Sequence, residues 1–177
     1  MLKNESTILG FITKIAPEAE IVEYKNQTTI KIDCSHLISV LNELKQNPES
    51  KFDMLLDIVS VDWTEQRHCF EIVYNLYAMK NGNRLRVKIE VPDTKPECPS
   101  ATSIWKSANW YEREVYDMMG IKFVGHPDLR RFYMPEDYCY PETGKPIYPL
   151  RKNVPLGGIP NSLPLPPYPE KFGDIQQ

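Results

Sequence analysis

Proline placement constrains this chain more than any other feature. Eleven of its sixteen prolines fall at or after Pro127, and only five interrupt the first 126 residues. Proline fixes φ and lacks a backbone N–H, so a segment carrying one every few residues builds neither a helix interior nor a central strand. Regular structure is therefore expected before residue 126 and not after it. The later strip still carries groups that seek burial, among them Leu129, Phe132, Tyr133, Met134, Tyr138, Tyr140, Ile147, Tyr148, Leu150 and Leu156. A stiff, extended, aromatic-rich arm hides little of its own surface and offers much to a neighbour. The competing expectation is that it wraps its own domain. The organisation expected is an α+β domain over residues 1–125 and an extended proline-rich docking arm over 126–177.

The first 126 residues read as alternating elements. Ser6 stands as an N-cap before Ile8, Ile12 and Ile15, which share one helical face, and Pro17 ends that helix. "EIVEYKNQTTIKID" reads as two short strands around a Lys25–Thr28 turn. Ser35 is expected to cap a second helix with Leu37, Val40, Leu41 and Leu44 at helical spacing, stopped by Asn47-Pro48. "MLLDIVSV" (54–61) is nearly continuous apolar, the pattern of a strand covered on both faces, and "CFEIVYNLYAM" (69–79) is a further strand. "NGN" (81–83) supplies a hairpin turn. In "RLRVKIEV", Leu85, Val87, Ile89 and Val91 alternate with Arg84, Arg86, Lys88 and Glu90, which predicts one packed and one wet sheet face. "PSATSIWKSA" reads as a short helix. This order implies an α+β fold: a mostly antiparallel mixed sheet with helices on one face.

Composition narrows the function classes. The net charge of −3 argues against nucleic acid as the main partner, because phosphate binding needs uncompensated Lys and Arg. No stretch approaches the roughly 20 apolar residues of a membrane span, and "MLKNESTILG" lacks the features of a signal peptide, so the cytosol is the expected compartment. Cys34, Cys69, Cys98 and Cys139 contain no CxxC pair, so they signal neither zinc nor an iron–sulfur cluster, and reduced thiols are expected.

"NWYEREVYDMMG" carries a helical signature. Asn109 with Glu112 has the spacing of a capping box, and Gly120 stands where a left-handed residue closes the helix. Tyr111, Val115, Met118 and Met119 make an apolar stripe. Arg113 and Asp117 lie at i, i+4 and can pair. Glu114 borders the stripe, so it is expected to be partly desolvated and to seek a cation, Arg130 or Arg131 being nearest in sequence. As an acid–base site the segment is poor, because Glu112 and Glu114 point about 200° apart on a helix and no nucleophile or oxyanion donor set accompanies them. As a metal site it offers one nitrogen ligand, His126, beside Asp117 or Asp128, without HxH or HExxH spacing. The plainer reading makes His126 a turn residue bonded to backbone and the arginines partners of Glu114, Asp117 and Asp128. Arg and Tyr are also the residue types enriched at protein interfaces.

"EREVYDMMGIKFVGHPDLRR" resembles the signature of the 30 kDa subunit of respiratory complex I, called NuoC in bacterial NADH–quinone oxidoreductase. Glu112-Arg113-Glu114, Asp117, His126, Asp128, Arg130 and Arg131 carry the match, and "MPED" (134–137) and "PLRK" (149–152), with Arg151, extend it. "FDMLLDIVSVDW" resembles the family's central strand region. Two features depart from the pattern: the link "YCYPETGKPIY" is longer than usual, and Asn153 stands where Asp is typical. The resemblance implies a subunit with no catalytic residue, cofactor or metal of its own. FMN, iron–sulfur clusters, NADH and quinone would be handled by other subunits. It implies a brace on the 49 kDa-type subunit, beside the iron–sulfur subunits, peripheral on the cytoplasmic side of the bacterial cell membrane. Two rivals are the equivalent subunit of a membrane-bound hydrogenase or formate-hydrogenlyase complex, and a free-standing acid–base enzyme using His126.

Overall fold

Strand pairing in the computed structural model, which describes residues 5–155 and 158–162, follows from the alternation in "RLRVKIEV". The elements run in the order α1 (Glu5–Ile15), β1 (Glu20–Tyr24), β2 (Gln27–Lys31), a 3-10 turn (Cys34–His36), α2 (Leu37–Gln46) and β3 (Met54–Asp62). A single-turn α3 (Thr64–Arg67) leads to β4 (Cys69–Ala78), β5 (Asn83–Pro92) and β6 (Glu97–Pro99), then α4 (Ala108–Met119) and β7 (Lys122–Val124). Five strands form one sheet in the order β1-β2-β5-β4-β3, and β6 pairs with β7 in a second, two-stranded sheet. All pairs in the large sheet are antiparallel except β2 with β5. The expected α+β class with a mixed sheet therefore stands.

The hairpin β4–β5 sets the two faces. Its register puts Phe70, Ile72, Tyr74 and Leu76 opposite Val91, Ile89, Val87 and Leu85. All of these are buried, together with Ile8 and Ile12 of α1, Leu37, Val40, Leu41 and Leu44 of α2, and Val115 and Met119 of α4. The opposite face is charged. Glu71 and Glu90 lie directly across from one another, and that repulsion is offset by Lys88 on Glu71 at 2.8 Å, Lys31 on Glu90 at 3.0 Å and Arg67 on Glu90 at 2.6 Å.

Local readings needed correction where tertiary context overrode pattern. "MLLDIVSV" is an edge strand: Leu55 and Ile58 are buried, while Met54, Val59 and Val61 on the same strand are exposed. A bulge between Leu55 and Asp57 breaks its period. Ser6 lies inside α1 rather than before it. Asp33, not Ser35, caps the turn into α2, its carboxylate accepting the Ser35 N–H at 2.8 Å. "PSATSIWKSA" is a run of tight turns bonded at Ala101–Ile104 and Ala101–Trp105, not a helix. The β1–β2 turn is tighter than Lys25–Thr28, with Lys25 and Asn26 both at positive φ.

After residue 126 the strip is irregular, as its prolines dictate. Yet the part that reaches residue 155 is not held clear of the domain: Tyr138 and Ile147 are buried, and Leu150 N–H donates to the Met118 carbonyl. Leu156 lies outside the described residues.

Candidate docking surface and its buried scaffold

Helix α4 holds the strip with two side chains one turn apart. Asp117 is fully buried. Its Oδ1 accepts Arg131 Nη1 at 2.9 Å, and its Oδ2 accepts the consecutive backbone N–H groups of Phe132, Tyr133 and Met134 at 3.0, 2.7 and 2.8 Å. Three converging amides make a cradle for an anion, and here the anion belongs to the helix. Arg113, also buried, donates through Nε to the Arg130 carbonyl at 3.2 Å and through Nη2 to the Arg131 carbonyl at 3.0 Å. Arg113 and Asp117 therefore do not pair with each other. They grip donors and acceptors of the same five-residue stretch, 130–134.

Arg131 carries the contact onward. Nη2 donates to the carbonyls of Tyr138 and Ile147, each at 3.2 Å. Those two carbonyls lie at the base of a small loop closed by a Cys139–Pro146 bridge, with Ile147 N–H on the Tyr138 carbonyl at 3.1 Å. The unusually long link "YCYPETGKPIY" thus forms the loop that satisfies a buried guanidinium. Farther on, Arg151 Nε donates to the Met119 carbonyl at 2.7 Å, a cation against the helix C-terminus. Lys152 N–H donates to Asp62 Oδ2 at 2.9 Å. Burial raises the Asp62 carboxyl, but hydrogen bonds from Thr64 and Lys152, with Arg151 nearby, hold it below its ordinary value.

Gly120 ends α4 at φ +71°, and a Cβ there would stand 2.5 Å from Tyr148 Cε2 and 2.7 Å from Arg151 Nη2. Gly120→Ala should lower stability by about 2 kcal/mol, combining a left-handed backbone with a displaced Tyr148. Urea unfolding checks this, and an unchanged midpoint would contradict the close approach.

The remaining signature residues divide by exposure. Glu112 is fully buried, but it is not part of a capping box: Ser100 Oγ donates to its Oε2 and the Ala101 N–H to its Oε1, both at 2.6 Å. Burial in this pocket pushes its carboxyl up to about 7, against the opposing pull of those two bonds. Helix α4 starts at Ala108, after Ser107. Glu114, expected to be desolvated, is exposed, and the buried ion pair belongs to Asp117 and Arg131 instead. One step on the helical wheel explains the error, because the strip covers the face bearing 113 and 117. His126 has both ring nitrogens engaged, Nε2 with the Asn109 carbonyl at 3.1 Å and Nδ1 with the Asp128 N–H at 3.0 Å. Arg130 pairs with Asp128 at 3.0 Å in an exposed position. With both acids locked and the imidazole occupied, these groups are not presented to a substrate. Among the described residues no cluster of three or more His, Cys, Asp or Glu is placed to hold a metal.

What the scaffold does present is aromatic. Trp110, Phe132 and Tyr133 are 55%, 42% and 60% exposed. Their rings are in contact, Trp110 with Phe132 at 5.1 Å and Phe132 with Tyr133 at 4.5 Å between centroids. The Arg113 guanidinium lies 4.9 Å from the Trp110 ring and 5.4 Å from Phe132. Phe132 and Tyr133 stood out in the sequence as apolar residues of the strip, but Trp110 did not. Its only signal was a large ring off the apolar stripe of α4.

A buried charged scaffold displaying exposed rings defines a subunit-type protein, built to be covered by another chain. Similarity to known proteins specifies which. Residues 30–160 match the family model described as respiratory-chain NADH dehydrogenase, 30 kDa subunit. The chain is 35% identical over 159 residues to NuoC, the 30 kDa-type subunit of NADH-quinone oxidoreductase, of Roseiflexus sp. (strain RS-1), covering 89% of this chain and 87% of that one. It is 34% identical over 160 residues to NuoC of Geobacter sulfurreducens, covering 89% and 93%. It is 38% identical over 156 residues to the mitochondrial 30.4 kDa NADH-ubiquinone oxidoreductase subunit of Neurospora crassa, covering 88% of this chain and 52% of that one. Among solved structures, a trypsin-resistant fragment of Nqo5 (1–134) superposes with a TM-score of 0.62 at 28% identity, over 72% of this chain and all of the fragment. A chain of an archaeal respiratory membrane complex, the membrane-bound sulfane sulfur reductase, superposes with a TM-score of 0.68 at 28% identity, over 87% of each. The chain belongs to the 30 kDa subunit family of the respiratory-chain NADH dehydrogenase. It is thereby a subunit of an electron-transport enzyme complex, and its partners are other subunits of that complex. No helix among the described residues is long and apolar enough to cross a membrane.

Proposed function

We propose that this chain is the bracing subunit of the peripheral arm of a proton-translocating NADH:quinone oxidoreductase, on the cytoplasmic side of the membrane. It holds the 49 kDa-type subunit near the quinone site and lies beside the iron–sulfur subunits. The body up to about residue 125 supplies the frame, and α4 with the strip from 126 supplies the docking element. Glu112, Arg113, Asp117 and Arg131 act from beneath by fixing the strip, while Glu114, Asp128 and Arg130 lie at the surface and set its charge. FMN, iron–sulfur clusters, NADH and quinone are bound by other subunits. The observation that carries this reading is the exposed Trp110–Phe132–Tyr133 cluster seated on a fully hydrogen-bonded scaffold. Hot spots of protein interfaces are of this kind, with rings positioned by buried contacts.

Tyr133→Ala with Trp110→Ala should leave folding within about 1 kcal/mol, since both side chains are exposed. Each ring at an interface centre contributes about 2 kcal/mol or more, so the double variant should lose co-purification of the 49 kDa-type subunit from solubilised membranes. Retention of that subunit at wild-type yield would overturn the docking surface. The TM-score of 0.68 with the sulfane sulfur reductase chain supports a second reading, the equivalent subunit of a hydrogenase-type assembly. The same purification separates the two by whether quinone-reductase or hydrogenase subunits come down with the tag.

A further inference from the structure

Two of the four cysteines lie far apart in sequence and meet in the fold. Cys34 opens the 3-10 turn that follows β2, and Cys98 is the central residue of β6. Strand β5 lies against both segments, and the two thiols are hydrogen-bond partners. Their surroundings differ. Cys98 is 1% exposed, with Sγ 3.4 Å from the Tyr74 hydroxyl and 3.3 Å from the Pro99 carbonyl oxygen. Cys34 is only half-buried.

That asymmetry separates their acidities. The hydrogen bond from Cys98 lowers the Cys34 thiol below its ordinary value, outweighing burial and the Asp33 carboxylate. The same bond, together with burial, pushes Cys98 well up. One sulfur is therefore reachable and inclined to be a thiolate, while the other is sealed and protonated. An attacking thiol and a resolving thiol need this arrangement. The remaining cysteines lack it: Cys69 is raised by burial, and Cys139 is half-buried in the 138–147 loop.

We propose that Cys34 and Cys98 form a hydroperoxide-reactive dithiol, a modification site that closes to a disulfide between the 3-10 turn and β6. The Cys34 thiolate attacks one oxygen of hydrogen peroxide. The O–O bond breaks, and the departing hydroxide takes a proton to leave as water, giving a sulfenic acid on Cys34. The Cys98 sulfur then attacks the Cys34 sulfur. The S–S bond forms as the S–O bond breaks, and the hydroxyl leaves with the Cys98 proton as a second water. The two thiols lose two electrons and the peroxide gains two. A dithiol reductant reverses the change. The closed bond would tie the entry of α2 to the β6–β7 pair, which is continuous with the C-terminal end of α4.

The test uses the full-length chain and hydrogen peroxide as the probe. After a brief exposure, the thiol titre of the denatured protein should fall from four to two. Non-reducing peptide mapping should show the Cys34 and Cys98 peptides linked, two hydrogens lighter than their sum, and dithiothreitol should restore four thiols. Independently, Cys98→Ala should move the pH midpoint of Cys34 alkylation upward. If that variant does not fold, the wild-type map alone decides. Sulfinic or sulfonic acid on Cys34 with Cys98 still a free thiol would overturn the proposal, as would linkage through Cys69 or Cys139, or an unchanged titre of four.

Discussion

Asp117→Ala should cost about 3–5 kcal/mol, the range for removing one partner of a buried ion pair. The loss is more than Coulombic. It strands the Arg131 guanidinium beneath the strip and leaves the N–H groups of Phe132, Tyr133 and Met134 without the oxygen they share. Limited proteolysis should then cut within 127–155 at enzyme levels that spare the wild type, and urea unfolding should shift to lower midpoint. Arg131→Ala should behave similarly, and the double variant should lose less than the sum of the singles because the groups are coupled. Glu114→Ala is the control: its side chain is exposed, and its effect should stay within about 0.5 kcal/mol. Equal effects at 114 and 117 would refute the assignment of the buried pair.

Stability should fall as the pH rises from about 5 to 8, and Glu112 should be the cause. Its carboxyl is raised from an ordinary 4.5 to about 7 by burial, opposed by the bonds from Ser100 and Ala101. The folded protein holds this proton more tightly than the unfolded chain does. Its stabilising contribution is complete below the unfolded value and is lost as the pH rises through the folded one. The swing corresponds to about 3 kcal/mol. Cys98 and Tyr74 are its titratable neighbours, and both are raised well above this window, so neither confuses it. Glu112→Gln keeps an acceptor for the Ala101 N–H and gains a donor for the Ser100 hydroxyl. Its urea midpoint should therefore change by about 3 kcal/mol less than the wild type's between pH 5 and 8. Parallel profiles would show that Glu112 ionises as an ordinary surface carboxyl does.

The faultless alternation of β5 made its two faces legible, because period-two burial is written directly into side-chain polarity. The edge position of β3 was not legible. An apolar run looks the same whether a second layer or a partner chain covers it. The signature segment was recognisable as a helix with a glycine stop, yet its charges were misassigned. Glu114 was expected to be the desolvated acid, and burial fell instead on Glu112 and Asp117. No local rule could assign that, because the covering atoms come from residues 100–101 and 131–134, which the helix meets only in three dimensions. The strip's irregularity was legible from its prolines, but its path back over α4 was not. That path depends on single donors such as the Leu150 and Lys152 N–H groups finding Met118 and Asp62.

The three-amide cradle around Asp117 has a bearing on the order of events during biogenesis. The loop from 132 to 134 cannot take its shape until a completed helix offers it a carboxylate, so Phe132 and Tyr133 reach their display positions only on a finished body. A half-made copy would lack the ring arrangement a sister subunit recognises. Maturity of the frame is in this way reported at its surface, and incorporation into the complex is gated by folding without a separate checkpoint.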